Sequence, residues 1–127
     1  MSVSADYRDF ILEQLAGAGR VTPRAMFGGV GLYLDGLFFA LIDDDTLYFK
    51  ADEASRRRYE AAGSHPFCPD PSRPEQAMGY WQVPADVLED PEALVEWARE
   101  AQGVALSKRS QRVTRRRPPA AQRVSRR

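Results

Sequence analysis

A two-residue break, Asp35-Gly36, constrains this chain more than any other feature. Before it, Val30, Leu32 and Leu34 alternate with Gly31 and Tyr33; after it, Leu37 to Ile42 is continuously apolar. Two strand-like runs joined by Asp-Gly read as a β-hairpin closed by a type I′ turn. That turn needs positive φ at both central residues, which Gly adopts freely and Asp tolerates. A third run, Leu47-Tyr48-Phe49-Lys50, follows the polar turn Asp43-Asp44-Asp45-Thr46. The spacing predicts an antiparallel meander whose apolar face the rest of the chain must cover.

The flanking segments supply the cover. Ser4 is a helix cap, followed at helical spacing by Tyr7, Phe10, Ile11, Gln14 and Leu15, and Gly17 and Gly19 end the helix. Val21-Thr22-Pro23 reads as an extended lead into the meander. Asp52 caps a second helix, Glu53 to Ala62, closed by Gly63. Arg56, Arg57 and Arg58 lie inside it at about 100° intervals, which makes a solvated face rather than one patch. Three prolines between residues 66 and 71 exclude a helix there. Met78 to Val83 reads as a strand, with Phe67-Cys68 as a short partner. Asp90-Pro91-Glu92 starts the last helix, which buries Leu94, Val95, Trp97, Ala98 and Ala101 and ends at Gly103. This order predicts a two-layer α+β domain with helices packed on an antiparallel sheet.

Charge divides the chain in two. The formal net charge of the 127 residues is zero, yet all 18 acidic residues lie before residue 101, and nine of the 18 basic ones lie in residues 107–127. Residues 1–106 therefore carry −9 and residues 107–127 carry +9. The boundary expected from this is a folded body, 1–106, and a basic tail, 107–127, too poor in apolar residues to fold in isolation. Lys108, Arg109, Arg112, Arg115, Arg116, Arg117, Arg123, Arg126 and Arg127 are the candidate nucleic-acid contacts. They offer phosphate neutralisation but no base-reading element. The same tail could instead lie back on the acidic ridge Glu92, Glu96 and Glu100. The longest apolar run is too short to span a bilayer, Asp6, Asp9 and Glu13 interrupt any signal-like start, and Cys68 has no second cysteine to pair with. A cytoplasmic protein without membrane contact is expected.

Reaction chemistry finds little footing. His65 and Cys68 are the single residues of their types, and with Asp70 they make at most three ligands or an unsupported nucleophile. Gly28-Gly29-Val30-Gly31 lacks the Gly-Lys-Ser/Thr ending of a phosphate loop and precedes a strand, so close packing explains it better. Asp43 to Asp45 reads as a turn, not a calcium loop. Tyr33, Phe38, Phe39, Tyr48, Phe49, Tyr80 and Trp81 could stack bases. Few cations accompany them, so core or interface positions are expected.

Arg24-Ala25-Met26-Phe27-Gly28-Gly29-Val30-Gly31-Leu32-Tyr33, Gly63-Ser64-His65-Pro66-Phe67 and Met78-Gly79-Tyr80-Trp81-Gln82-Val83-Pro84 resemble, in order, the N-terminal domain of the TfoX/Sxy family. The three blocks span most of residues 5–103. The resemblance implies the order α-β-β-β-α-β-β-α, in a fold group that includes type III secretion chaperones. It also implies a regulatory protein with no established active site. Full-length members promote competence gene expression with the cyclic-AMP receptor protein and carry a second, helix-hairpin-helix-like domain, where this chain has its basic tail. The expectation is a non-enzymatic regulatory module, a transcription accessory factor whose partners are DNA or a transcription factor, with no cofactor, metal or small-molecule substrate. The alternative is a homodimeric chaperone-like adaptor that binds a protein or peptide. A small enzyme using Cys68 and His65 ranks last.

Overall fold

The computed structural model describes residues 3–26, 28–68 and 79–116, with 109–116 described as backbone. The Ser4 hydroxyl accepts the Tyr7 N–H at 3.1 Å and opens α1 (Ala5–Gln14), which passes into a 3-10 turn, Ala16–Ala18. Four strands follow without interruption: β1 (Val21–Met26), β2 (Gly29–Leu34), β3 (Leu37–Asp43) and β4 (Thr46–Lys50). Then come α2 (Arg56–Ala61), β5 (Tyr80–Gln82), α3 (Ala85–Leu88) and α4 (Pro91–Arg116). The strands form one antiparallel sheet in the order β1-β2-β3-β4-β5, an α+β domain of two layers.

The Asp-Gly hairpin forms as its residues require. Asp35 and Gly36 have φ of 53° and 82°, and Leu34 pairs with Leu37 across the turn. The next connection is equally tight. Asp44 and Asp45 have φ of 52° and 51° between the paired Asp43 and Thr46. Asp tolerates this region because its short polar side chain finds local or nearby donors; Asp45 Oδ1 accepts the Ser4 N–H at 2.8 Å, which ties α1 to the turn.

Two details of element order differ from expectation. The lead-in at Val21-Thr22-Pro23 is part of a full strand, paired from Val21↔Leu34 to Met26↔Gly29. Pro23 is tolerated because β1 lies at the sheet edge, where a missing N–H need not break a ladder. The expected partner strand at Phe67-Cys68 is instead a single bridge, Pro66↔Trp81, flanked by Phe67 N–H to Tyr80 O at 2.6 Å and Gln82 N–H to His65 O at 2.9 Å. Four strands therefore precede α2, and one follows it.

Helix limits follow from their caps. Asp52 and Ser55 bond reciprocally, Ser55 N–H to Asp52 Oδ1 at 2.8 Å and Asp52 N–H to Ser55 Oγ at 3.0 Å, and α2 starts at Arg56 rather than Glu53. At its other end, Ser64 N–H reaches Tyr59 O, Gly63 N–H reaches Glu60 O, and Gly63 sits at φ 80°, a Schellman closure. Asp90 Oδ1 accepts from Glu92 and Ala93 and opens α4. That helix does not stop at Gly103. A mid-helix glycine costs about 1 kcal/mol relative to alanine, and buried Ala101, Val104 and Ala105 on either side hold the backbone helical.

The core lies between the helices and one sheet face. Ile11 and Leu15 of the N-terminal segment and Leu94, Ala98, Ala101 and Ala105 of α4 meet Leu32, Leu34, Ile42, Leu47 and Phe49. A bulge opposite Leu32/Tyr33 lets the adjacent Phe39 and Ala40 both be buried. α4 packs chiefly on β3 and β4. Among the described residues, no helix is long and apolar enough to cross a membrane.

Candidate nucleic-acid interface

The buried face of α4 recurs at Leu94, Ala98, Ala101 and Ala105, steps of four, three and four residues. At about 100° per residue these positions stay within a narrow stripe. Ala105 is 6% exposed, but Leu106 is 52% exposed, and Ser107 and Lys108 are exposed as well. The helix backbone continues unbroken from there to Arg116. From Lys108 to Arg116 it advances roughly 12 Å at 1.5 Å per residue.

Of the predicted contacts, Lys108, Arg109, Arg112, Arg115 and Arg116 therefore occupy one helix. Arg117, Arg123, Arg126 and Arg127 lie outside the described residues. The backbone of residues 107–116 prolongs the helix that carries Glu92, Glu96 and Glu100, so the expected return of the tail onto that ridge falls to residues 117–127, which lie outside the described residues.

Lys108 borders a cleft of about 390 Å³ lined by Ala51, Asp52, Glu53, Arg56, Pro66, Gly79 and Trp81. The Ser55 N–H holds the Asp52 carboxyl below its usual range despite partial desolvation, with lesser help from the Ser55 hydroxyl and the positive charge of Lys108. Arg56 is shared between Glu53 at 3.8 Å and Glu60 at 3.9 Å. The cleft is thus lined by two charges of each sign, Asp52 and Glu53 against Arg56 and Lys108.

The acidic ridge is not uniform. Glu92 and Glu96 are exposed, whereas Glu100 accepts from Arg58 Nη2 at 3.0 Å. Arg58 also lies over Trp97, so the three arginines of α2 are not equivalent. Tyr59 sits behind this pair, 1% exposed, edge-on to Trp97 at 4.9 Å, its hydroxyl without a hydrogen-bond partner among the described residues. Burial, then the charge of Glu100, pushes this phenol far above its ordinary range, with Arg58 opposing. Composition and spacing gave no signal of this cluster, because its members lie about 40 residues apart.

On the outer sheet face, Tyr33 and Phe38 stack at 5.2 Å and Phe38 meets Tyr80 at 5.6 Å. Arg24 lies over Tyr33 at 5.6 Å and Lys50 over Tyr80 at 4.7 Å. Arg24 was missed as a companion of the aromatics; only the β1–β2 pairing brings it there. Tyr80 is 4% exposed and Leu41 9% exposed, so this is a packed layer rather than an open stacking platform. Phe39 and Phe49 belong to the core instead.

The remaining candidates separate. His65 is exposed and Cys68 half-buried, and Asp70 lies outside the described residues. Among the described residues, no three His, Cys, Asp or Glu side chains gather where they could hold a metal ion. The glycines are explained by contact. A Cβ at Gly29 would stand 2.5 Å from the Ile42 carbonyl oxygen, and one at Gly31 would stand 2.6 Å from Met26 Cε.

The model of the TfoX N-terminal domain family matches residues 13–105. A curated relative, the DNA transformation protein TfoX1 of Aliivibrio fischeri, is 30% identical over 83 residues, 65% of this chain. The aligned segment spans 40% of that relative's length. The family match covers well over half of the sequence, including the whole described sheet and the buried stripe of α4, and the chain belongs to the TfoX N-terminal domain family.

Proposed function

We propose that this chain is a non-enzymatic regulatory binding module of the competence type, a transcription accessory factor. In this reading the acidic α+β body docks a transcription-factor partner and the basic segment holds nucleic acid electrostatically. The observation that carries the reading is the continuity of α4, which joins the folded body to the cationic segment as one helix. The relative named a DNA transformation protein supports the direction of the assignment. The reading is non-enzymatic because the family resemblance carries no catalytic residue onto this sequence, and a cytoplasmic setting goes with it. Salt-dependent binding to a DNA duplex, measured by fluorescence anisotropy, tests it. The full chain should bind, and a chain ending at residue 106 should not. Equal binding by both would remove the basic segment from the function.

A second reading, the homodimeric adaptor, is favoured by an apolar pocket of about 170 Å³ between Met26, Phe38, Leu41 and Phe67 on the outer sheet face. Light scattering tests it: a monomer at all concentrations would end it.

A further inference from the structure

The stripe that faces the core in the first part of α4 does not end where the core ends. Taking Leu94 as the zero of angle, buried Leu94, Ala98, Ala101 and Ala105 fall between about −20° and +40°. Positions 108, 109, 112, 115 and 116 fall between about −60° and +60°, on the same side of the helix. As far as Ala105 that side carries Leu and Ala; from position 108 onward it carries one Lys and four Arg. The opposite side of this overhang is Ser107, Ser110, Gln111, Val113 and Thr114, without charge.

We propose that this cationic strip of α4 is a docking surface for duplex DNA, engaging phosphates along one helix face without reading bases. The proposal rests on the reading that the basic segment contacts nucleic acid, and adds the geometry of that contact. Charge complementarity argues for the occupant. The strip is about 12 Å long, and a duplex presents one charge per roughly 1.7 Å of axis, both strands counted, so several phosphates fall within its span. No acidic residue follows Glu100, so every charged side chain beyond it is a cation. A lipid surface fits less well, because an interfacial helix needs an apolar face, and Val113 is the single large apolar residue between Leu106 and Pro118. A protein groove would ask for the same apolar anchors.

The test keeps composition constant and moves charge around the helix. In the full chain, Arg112→Ser with Ser110→Arg and Arg115→Thr with Thr114→Arg place two cations on the opposite side. Binding to a short DNA duplex of arbitrary sequence is measured from about 50 to 200 mM salt, with circular dichroism to check that helix content and melting are retained. The expected result is a salt slope smaller by about 1.8 and an affinity lower by roughly 60-fold near 0.1 M salt, since each phosphate contact contributes about 0.9 to the slope. Unchanged binding by the rearranged chain, with a loss when Arg112→Ser and Arg115→Thr are made alone, would leave nucleic-acid contact standing and overturn the strip. Absence of duplex binding by the parent chain would overturn both. Binding to phosphatidylserine vesicles in place of DNA would also overturn the strip as a DNA surface.

Discussion

Arg58 lies over Trp97, its guanidinium carbon 4.0 Å from the ring centroid, and from that position donates to Glu100 at 3.0 Å. One side chain thereby joins α2 to the solvent side of α4. Both ion-pair partners are more than one-third exposed, so the Coulomb part is screened and the stacking contributes most of the stabilisation. Arg58→Ala should cost about 1 kcal/mol in urea unfolding. Arg57→Ala, one position away and exposed, should change stability by less than about 0.5 kcal/mol. Equal effects would show that the stack contributes nothing.

Tyr59 gives a prediction of the opposite sign. Its buried hydroxyl has no partner among the described residues, and such a group costs about 1–3 kcal/mol of desolvation. Tyr59→Phe removes the cost and keeps the ring against Trp97, so the variant should be at least as stable as the parent in thermal melting. A clear loss of stability would mean that the hydroxyl is bonded in solution.

The alkaline limb of stability follows from the same group. Tyr7, Tyr48 and Tyr59 all have phenols raised by burial first, with Asp45 acting further on Tyr7, Asp43 and Asp44 on Tyr48, and Glu100 on Tyr59. A phenol whose pKa is higher in the folded state is protonated in both states below its unfolded value near 10. Above that value the unfolded chain releases the proton first, so stability falls as pH rises. Melting temperature should be flat from neutral pH to about 9.5 and then decline, and the decline should be shallower in Tyr59→Phe.

Asp52 acts at the acid end. Its carboxyl is lowered chiefly by the Ser55 N–H, so the stability it supplies is present above its unfolded pKa near 4 and is lost as pH falls through the lower folded value. Asp52→Ala should cost about 1 kcal/mol at neutral pH through loss of the hydrogen bond it accepts from the Ser55 N–H. The variant and the parent should converge in stability at low pH, which equilibrium unfolding at a series of acid pH values would show.

The two glycines of β2 should separate in their cost. The contact met by a Cβ at Gly29 is the Ile42 backbone, which cannot move without breaking the β2–β3 pairing, whereas at Gly31 it is the flexible end of Met26. Gly29→Ala should cost about 3 kcal/mol and Gly31→Ala about 1 kcal/mol, the range over which overpacking destabilises. Melting of the two single variants gives the comparison, and a reversed order would contradict the packing described.

Much of this protein was readable from local chemistry. The Asp-Gly turn, the caps at Ser4 and Asp90, the Gly63 closure and the alternation of Leu32 and Leu34 each depend on a residue and its near neighbours. They announced a meander covered by helices before any tertiary contact was known. The split between acidic body and basic segment was likewise a matter of counting charge along the chain. What chain order could not announce depends on distance in space. Val21-Thr22-Pro23 reads only as an extended lead until β1 is seen to pair with β2 at the sheet edge. Gly103 reads as a helix stop until burial on both sides is seen to outweigh its roughly 1 kcal/mol penalty. Arg58, Trp97 and Glu100 become one unit only when α2 lies against α4. The cationic strip belongs with these: its residue types were visible from the start, but their common side, continuous with the buried stripe, exists only because packing carries α4 as one helix past the edge of the core.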